Sequence, residues 1–205
     1  MKILLFTVAA LGGYLIAGIN PAIALSRAIY KKDIRECGSG NPGFTNFKRT
    51  FGNKWAWWVL VLDLLKAAIA SLLFAWLLTL KGVDFQLGAA FTGAFCMLGH
   101  AYPLQFRFKG GKGFLVCLST VYVVDWRVGL IATGIMCLLL LITKYMSLST
   151  VTAILASPPL LIPFGASLPT VLIVGGCAIF MAIRHRANFK RLLAGTESKF
   201  RFGSK

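Results

Sequence analysis

Acidic side chains are scarce. Asp and Glu number 6 in a chain of 205 residues, and histidine occurs twice. So few carboxylates argue against a paired-carboxylate mechanism and against an acid-rich metal site, and no metal or cofactor is expected. Charged residues of both signs make up only 14%, against about 25% in a typical soluble domain. That leaves too little polar surface to cover a water-facing globule. Disorder is excluded by the same composition, because disordered chains are poor in apolar residues and this one is 58% hydrophobic. The five cysteines are odd in number and lack C-x-x-C spacing, and Cys96, Cys117, Cys137 and Cys177 sit in apolar runs. Neither a disulfide framework nor a zinc site is read from them. No Ser-His-Asp set is visible. No small-residue cleavage site precedes Asn20-Pro21, so the first apolar run is read as a retained span and not a removed signal.

What the chain does have is apolar length and positive charge. Lys and Arg number 22, the formal net charge is +16, and the mean hydropathy is +0.77. A nucleic-acid partner would explain the charge but not the apolar runs, so none is expected. The remaining class is a polytopic membrane protein. Runs near the length of a spanning helix, about 20 residues, lie at 3–25, 55–80, 85–104, 114–124, 128–143, 149–164 and 170–183. The reading is one all-α domain, 1–205, with seven transmembrane helices. The fourth run is short and must be tilted, sit in a thinned bilayer, or extend through the glycines before it. Asn20-Pro21 should kink the first span or end its regular part.

Basic residues sort by segment. The stretch 26–54 holds seven, 105–113 holds three, Lys144 stands alone, and the tail from Arg184 holds seven, so that eighteen of the 22 share one side of a seven-span topology. Positive charge marks the cytoplasmic side, which puts the N-terminus outside and the C-terminus in the cytoplasm.

Three polar segments interrupt the apolar background, all on that basic side. The first is Gly38-Ser39-Gly40-Asn41-Pro42-Gly43-Phe44-Thr45-Asn46, closed by Lys48-Arg49. Glycine-rich turns form anion-holding nests, and an Arg forks two hydrogen bonds onto phosphate; the plainer reading is a turn-rich loop with helix caps. The second runs from Gly99-His100 and Pro103 to Lys109-Gly110-Gly111-Lys112-Gly113. Glycines between lysines ahead of an apolar run suit a phosphate at a helix start, although Gly113 after Lys112 excludes a Walker A loop, and a membrane-flanking basic loop is the alternative. The third is Arg184-His185-Arg186-Ala187-Asn188, ending in Gly195-Thr196-Glu197; His185 and Asn188 would share a face of a continuing helix. Asp63 and Lys66, inside the second span, should pair with each other or face a polar interior. Ser147 and Ser149 join spans five and six and either serve a site or cap a helix.

Taken together, the three segments resemble the integral-membrane acyl-phosphate:glycerol-3-phosphate acyltransferases of bacterial phospholipid synthesis. The matching patterns are Gly38-Ser39-Gly40-Asn41-x-Gly43-x-Thr45-Asn46-x-x-Arg49, then Gly99-His100-x-x-Pro103 with Phe108-Lys109-Gly110-Gly111-Lys112-Gly113, then Arg184-His185-x-x-Asn188-x-x-Arg191-Leu192-x-x-Gly195-x-Glu197. Asp63, Lys66, Ser147 and Ser149 also match, and the likeness covers essentially the whole chain. It departs from the family at Phe114-Leu115-Val116-Cys117, where small or hydroxyl residues are usual, and at Gly18-Ile19-Asn20-Pro21, where Gly-Ser-Ile-Pro is usual.

The resemblance implies transfer of an acyl group from acyl phosphate to the 1-hydroxyl of glycerol 3-phosphate, giving lysophosphatidic acid and phosphate. It implies a cytoplasmic-face site in the bacterial inner membrane, in contact with membrane lipid and with the enzyme that makes the acyl phosphate. The His-x-x-x-x-Asp dyad of other glycerolipid acyltransferases is absent, since position 105 is Gln and position 190 is Lys. His185, Asn188, Ser39, Arg49 and Lys112 are the expected catalytic residues. Gly38, Gly40, Asn41, Gly43, Thr45, Asn46, His100, Lys109, Gly110, Gly111, Gly113, Ser147, Ser149, Arg184 and Glu197 are expected to bind substrate. A histidine or the donor's own phosphate would take the hydroxyl proton. The competing class is an anion transporter, which seven spans and an interrupted first helix permit, but no internal repeat is seen and the polar segments gather on one face.

Overall fold

A computed structural model describes residues 1–201, which among themselves hold ten α-helices and no strand. The first apolar run divides into α1 (Lys2–Gly18) and α2 (Pro21–Tyr30). Asn20 makes the division: its side-chain oxygen accepts from Ile23 N at 3.0 Å, and Pro21 takes the first helical position, where its missing N–H costs nothing. A short 3₁₀ turn, Ile34–Glu36, and α3 (Phe44–Phe51) then precede α4 (Asn53–Thr79), which is long enough for about 40 Å. The remaining helices are α5 (Phe85–Ala101), α6 (Phe114–Val124), α7 (Trp126–Thr143), α8 (Met146–Leu161), α9 (Leu168–Arg184) and α10 (Arg186–Leu193).

The scarce acids have definite work. Asp33, Asp84 and Asp125 each accept a backbone N–H at the start of a helix or 3₁₀ turn, at 2.9 Å in every case. Asp33 also holds Arg35 and Arg27, both at 2.8 Å, and the Arg35 hydrogen bond keeps its carboxyl well below the usual range.

α5 lies at the centre, packed on α1, α4, α6 and α9. Small residues crowd the buried faces of α4 and α5: Ala67, Ala70 and Ala75 on α4 and Ala89 and Ala90 on α5 are all fully buried. Small side chains let helices approach closely where no water drives them together. At Gly99 a side chain would collide with the carbonyl of Tyr14 on α1. The outer surface is apolar, with Leu4, Ile69, Trp76, Leu138, Leu141, Leu172 and Ile179 exposed.

Among the described residues, four stretches are long and apolar enough to cross a membrane: Lys2–Tyr30, Asn53–Thr79, Trp126–Thr143 and Met146–Phe164. A fifth arises if α9 and α10 count as one bent span, while α5 has 17 residues and α6 has 11. Two sequence expectations are corrected. α6 does not extend through the preceding glycines, because Gly113 turns with φ +90°. Nor does the last helix continue through His185: it breaks there by 54°, with the His185 N–H bonded to both Met181 and Ala182 carbonyls.

Candidate active site

The first glycine loop is organised by Asn46, projecting from α3. Its oxygen accepts from Ser39 N at 2.9 Å, and its NH2 donates to the carbonyls of Cys37 and Ile34. Gly38 has φ +57°, and a side chain on it would displace the Asn46 oxygen. The same loop is tied to the break in the first span, where buried Asn20 donates from Nδ2 to the Pro42 carbonyl at 3.1 Å. Ser39, Asn41, Thr45 and Arg49 are thereby presented along one wall.

The second loop is folded back on the end of α5. Gly110 N donates to Ala101 O and Gly111 N to His100 O, so these N–H groups do not cradle a phosphate as the sequence suggested. Both glycines are required by contact: a side chain on Gly111 would occupy the place of the His100 ring. Arg184 clasps the loop from α9, donating to Gly111 O at 2.9 Å, and Arg35 donates to Phe106 O at 2.8 Å. This folding delivers Lys112.

Lys112 Nζ donates to the side-chain oxygen of Asn188 on α10. The Asn188 NH2 donates to Glu197 Oε1 at 2.7 Å, Ser147 Oγ donates to the same oxygen at 2.8 Å, and Arg191 Nε donates to Glu197 Oε2 at 2.7 Å. Burial lowers the Lys112 ammonium to about 8, helped by Arg191, Arg184 and Arg49 and opposed by Glu197. Burial also raises the Glu197 carboxyl, but its hydrogen bonds from Asn188, Ser147 and Arg191 outweigh this and its pKa falls below the ordinary value. His185 is pushed down to about 4, chiefly by burial. Its Nδ1 lies 2.9 Å from Met181 O, so neutral His185 carries its proton on Nδ1 and leaves Nε2 as an acceptor.

Deeper in the bundle, Asp63 and Lys66 pair at 2.8 Å as expected. His100 joins them: its Nδ1 is 3.0 Å from Lys66 Nζ and 3.6 Å from Asp63. Lys66 also donates to Ile19 O, at the break between α1 and α2.

One cavity of about 1040 Å³ collects these groups. Its polar end is lined by Gly38, Ser39, Asn41, Gly43, Thr45, Asn46, Arg49, His100, Lys112, Gly113, Ser147, His185, Asn188, Arg191 and Glu197. Gly40, Lys109, Gly110, Gly111, Ser149 and Arg184 are not in the lining; Ser149 is buried against Tyr145 O, and Lys109 faces outward. From the polar end an apolar limb continues between α4, α6 and α7, lined by Leu60, Leu64, Leu65, Ala68 and Leu72, by Phe114, Leu115, Leu118, Tyr122 and Val123, and by Thr133 and Met136. The reading of single residues missed this limb, because every helix is apolar on several faces and no periodic signal separates a groove from a lipid contact. The one usable hint was the bulky Phe114-Leu115 departure.

A cationic, hydroxyl-lined pocket at the head of an apolar groove, inside a bundle of apolar helices, defines a multi-pass membrane protein whose site suits a negative group at one end and an apolar chain at the other. Residues 7–195 match the family described as glycerol-3-phosphate acyltransferase. A glycerol-3-phosphate acyltransferase of Thermoanaerobacter pseudethanolicus is 40% identical over 193 residues, 93% of each chain, and that of Maricaulis maris is 38% identical over 97% of this chain and 88% of its own. The crystal structure of PlsY (YgiH), an integral membrane glycerol 3-phosphate acyltransferase, in its glycerol 3-phosphate form superposes with TM-score 0.87 at 31% identity, covering 96% of both chains. Its lysophosphatidic acid form gives 0.84 at 30%. The chain belongs to the glycerol-3-phosphate acyltransferase family, and is thus a membrane enzyme of lipid biosynthesis.

Proposed function

We propose that the protein transfers the acyl group of an acyl phosphate to the 1-hydroxyl of glycerol 3-phosphate, releasing lysophosphatidic acid and inorganic phosphate. The observation that carries this reading is the single cavity in which a cationic pocket opens directly into an apolar limb. The limb suits an acyl chain, and the pocket suits two phosphorylated head groups that would otherwise repel. The glycerol 3-phosphate and lysophosphatidic acid forms of the similar PlsY support the acceptor and the product of this reaction.

In this mechanism Lys112, Arg49 and Arg191 neutralise the two phosphates, and Ser39, Asn41 and Thr45 donate or accept around them. The glycerol hydroxyl oxygen attacks the acyl carbonyl carbon, the carbon–oxygen bond to phosphate breaks, and the leaving phosphate takes the hydroxyl proton. A phosphate with a second pKa of about 6 is a better proton acceptor than an imidazole at about 4. His185 therefore orients the glycerol through Nε2, and Asn188 and Glu197 hold Lys112 in place. Because the acyl phosphate is an activated donor, no covalent enzyme intermediate is needed. The whole chain acts as one domain of seven spans, N-terminus outside, with the pocket on the cytoplasmic side of the bacterial inner membrane; the one-sided basic charge supports that orientation.

The test is purified protein in detergent with acyl phosphate and glycerol 3-phosphate, following phosphate release, with acyl-CoA as control donor. Phosphate release dependent on glycerol 3-phosphate is expected. Substrate binding without release would favour the anion transporter, and turnover with acyl-CoA would overturn the donor.

A further inference from the structure

On its α6 and α7 side the apolar limb ends at fixed groups, while on α4 its lining runs on to Leu72. On α6 its deepest lining residues are Tyr122 and Val123, and on α7 the deepest is Thr133. Tyr122 lies about 13 Å beyond Gly113 along the helix, two residues before α6 ends at Val124 and the chain reverses into α7. Its ring is held at two points. The hydroxyl is 2.8 Å from Thr133 Oγ1, and Thr133 Oγ1 in turn donates to Gly129 O at 2.9 Å. The single Thr133 proton is thus engaged, so the phenol is the donor in the Tyr–Thr bond. The ring itself lies on Gly129, where any side chain would collide with it. A tyrosine fixed by both face and hydroxyl is a rigid wall, unlike the flexible Met136 beside it.

We propose that Tyr122, anchored by Thr133 and seated on Gly129, closes the far end of the apolar limb and sets the longest acyl chain that the enzyme uses well. The inference rests on the acyl-transfer reading, which places the tail in this limb. An acyl group shorter than the limb leaves apolar wall uncovered, and a longer one must bend at the ring, so the preference peaks at one length.

The experiment measures kcat/KM for saturated acyl phosphates from about ten to about eighteen carbons, at saturating glycerol 3-phosphate, with discrimination per pocket methylene of about tenfold as the lower end of the scale. Tyr122→Ala opens the end, and its peak is expected to move to chains longer by at least about two carbons. Gly129→Ala pushes the ring into the limb, and its peak is expected to move the opposite way. Thr133→Val releases the hydroxyl and is expected to flatten the profile. Opposite shifts in the first two support the end wall. Folded, active variants with the wild-type profile overturn it, and should Tyr122→Ala fail to fold, Gly129→Ala alone decides by the presence or absence of the shortward shift. Failure of the parent reading looks different: the wild-type enzyme would then release no phosphate from any chain length.

Discussion

Lys112 and Asn188 are 76 positions apart in sequence and share a hydrogen bond, with the same Asn188 amide donating onward to Glu197. The bond brings the second and third polar segments into one pocket. It also aims a half-buried ammonium that, among the described residues, has no carboxylate in direct contact, since Glu197 reaches Lys112 only through the amide. Such a cation is free to serve an incoming anion. Lys112→Met is expected to lower kcat/KM by about 100-fold or more, the usual scale for removing an electrostatic stabiliser. Asn188→Ala is expected to lose less, because the charge remains and only its aim is lost. Phosphate-release kinetics on detergent-purified variants with unchanged thermal unfolding check both.

The charge of Lys112 should also be visible in the pH profile. Burial lowers its pKa to about 8, with Arg191, Arg184 and Arg49 adding to the effect and Glu197 opposing it. The cation is present below that value and lost above it, so kcat/KM should fall as pH rises through about 8. In Lys112→Arg the guanidinium stays protonated, and the descending limb should leave the measurable range. A limb still at 8 in that variant would assign it to another group.

His185 is neutral at working pH, because its pKa is pushed down to about 4, first by burial and then by Lys112 and Arg184 against the Met181 carbonyl and Glu197. If the donor phosphate takes the proton, His185→Ala and His100→Ala should each keep turnover within about tenfold of wild type. A general base contributes about 100-fold to 10,000-fold. A loss of that size in kcat for His185→Ala would make the imidazole the base.

Asn20 is 0% exposed and serves the break in the first span twice, capping α2 through its oxygen and holding Pro42 through its nitrogen. Asn20→Ser keeps the cap and drops the tether; Asn20→Ala drops both. The alanine variant should lose about 1–3 kcal/mol, read as a lower Tm in detergent. The serine variant should keep most of the Tm but lose affinity for glycerol 3-phosphate, because the loop bearing Ser39 and Asn41 is released.

The orientation has its own test. Reporter fusions at Lys81 and Arg127 should show the outer side, and one at Arg107 the cytoplasmic side. A cytoplasmic signal at Lys81 would reverse the assignment.

Much of the site was legible in the chain because charged and hydroxyl residues are rare in it. Ser39, Arg49, Lys112, His185, Asn188 and Glu197 stand out against apolar surroundings, and all line the cavity. The glycines were legible as special but not in their role. Gly110 and Gly111 looked like a phosphate nest, yet their N–H groups close onto the end of α5, a long-range choice that spacing does not reveal. Asn46 looked like a ligand and is the loop's internal brace. Ser149 reads in the sequence as a substrate ligand like Ser147, but positions two apart on a helix point to different faces, and it bonds its own helix.

By itself the sequence determined the solvent and the chemistry: with 58% apolar residues, 6 acids and a charge of +16, the chain needs lipid around it and favours anions within it. The tertiary structure alone decided which apolar residues form a groove and which face the bilayer. Those two environments are equally apolar, so composition cannot tell them apart. Only the packing of α4, α6 and α7 leaves a space between Leu64, Leu118 and Tyr122, and only the break at His185 turns Asn188 toward Lys112.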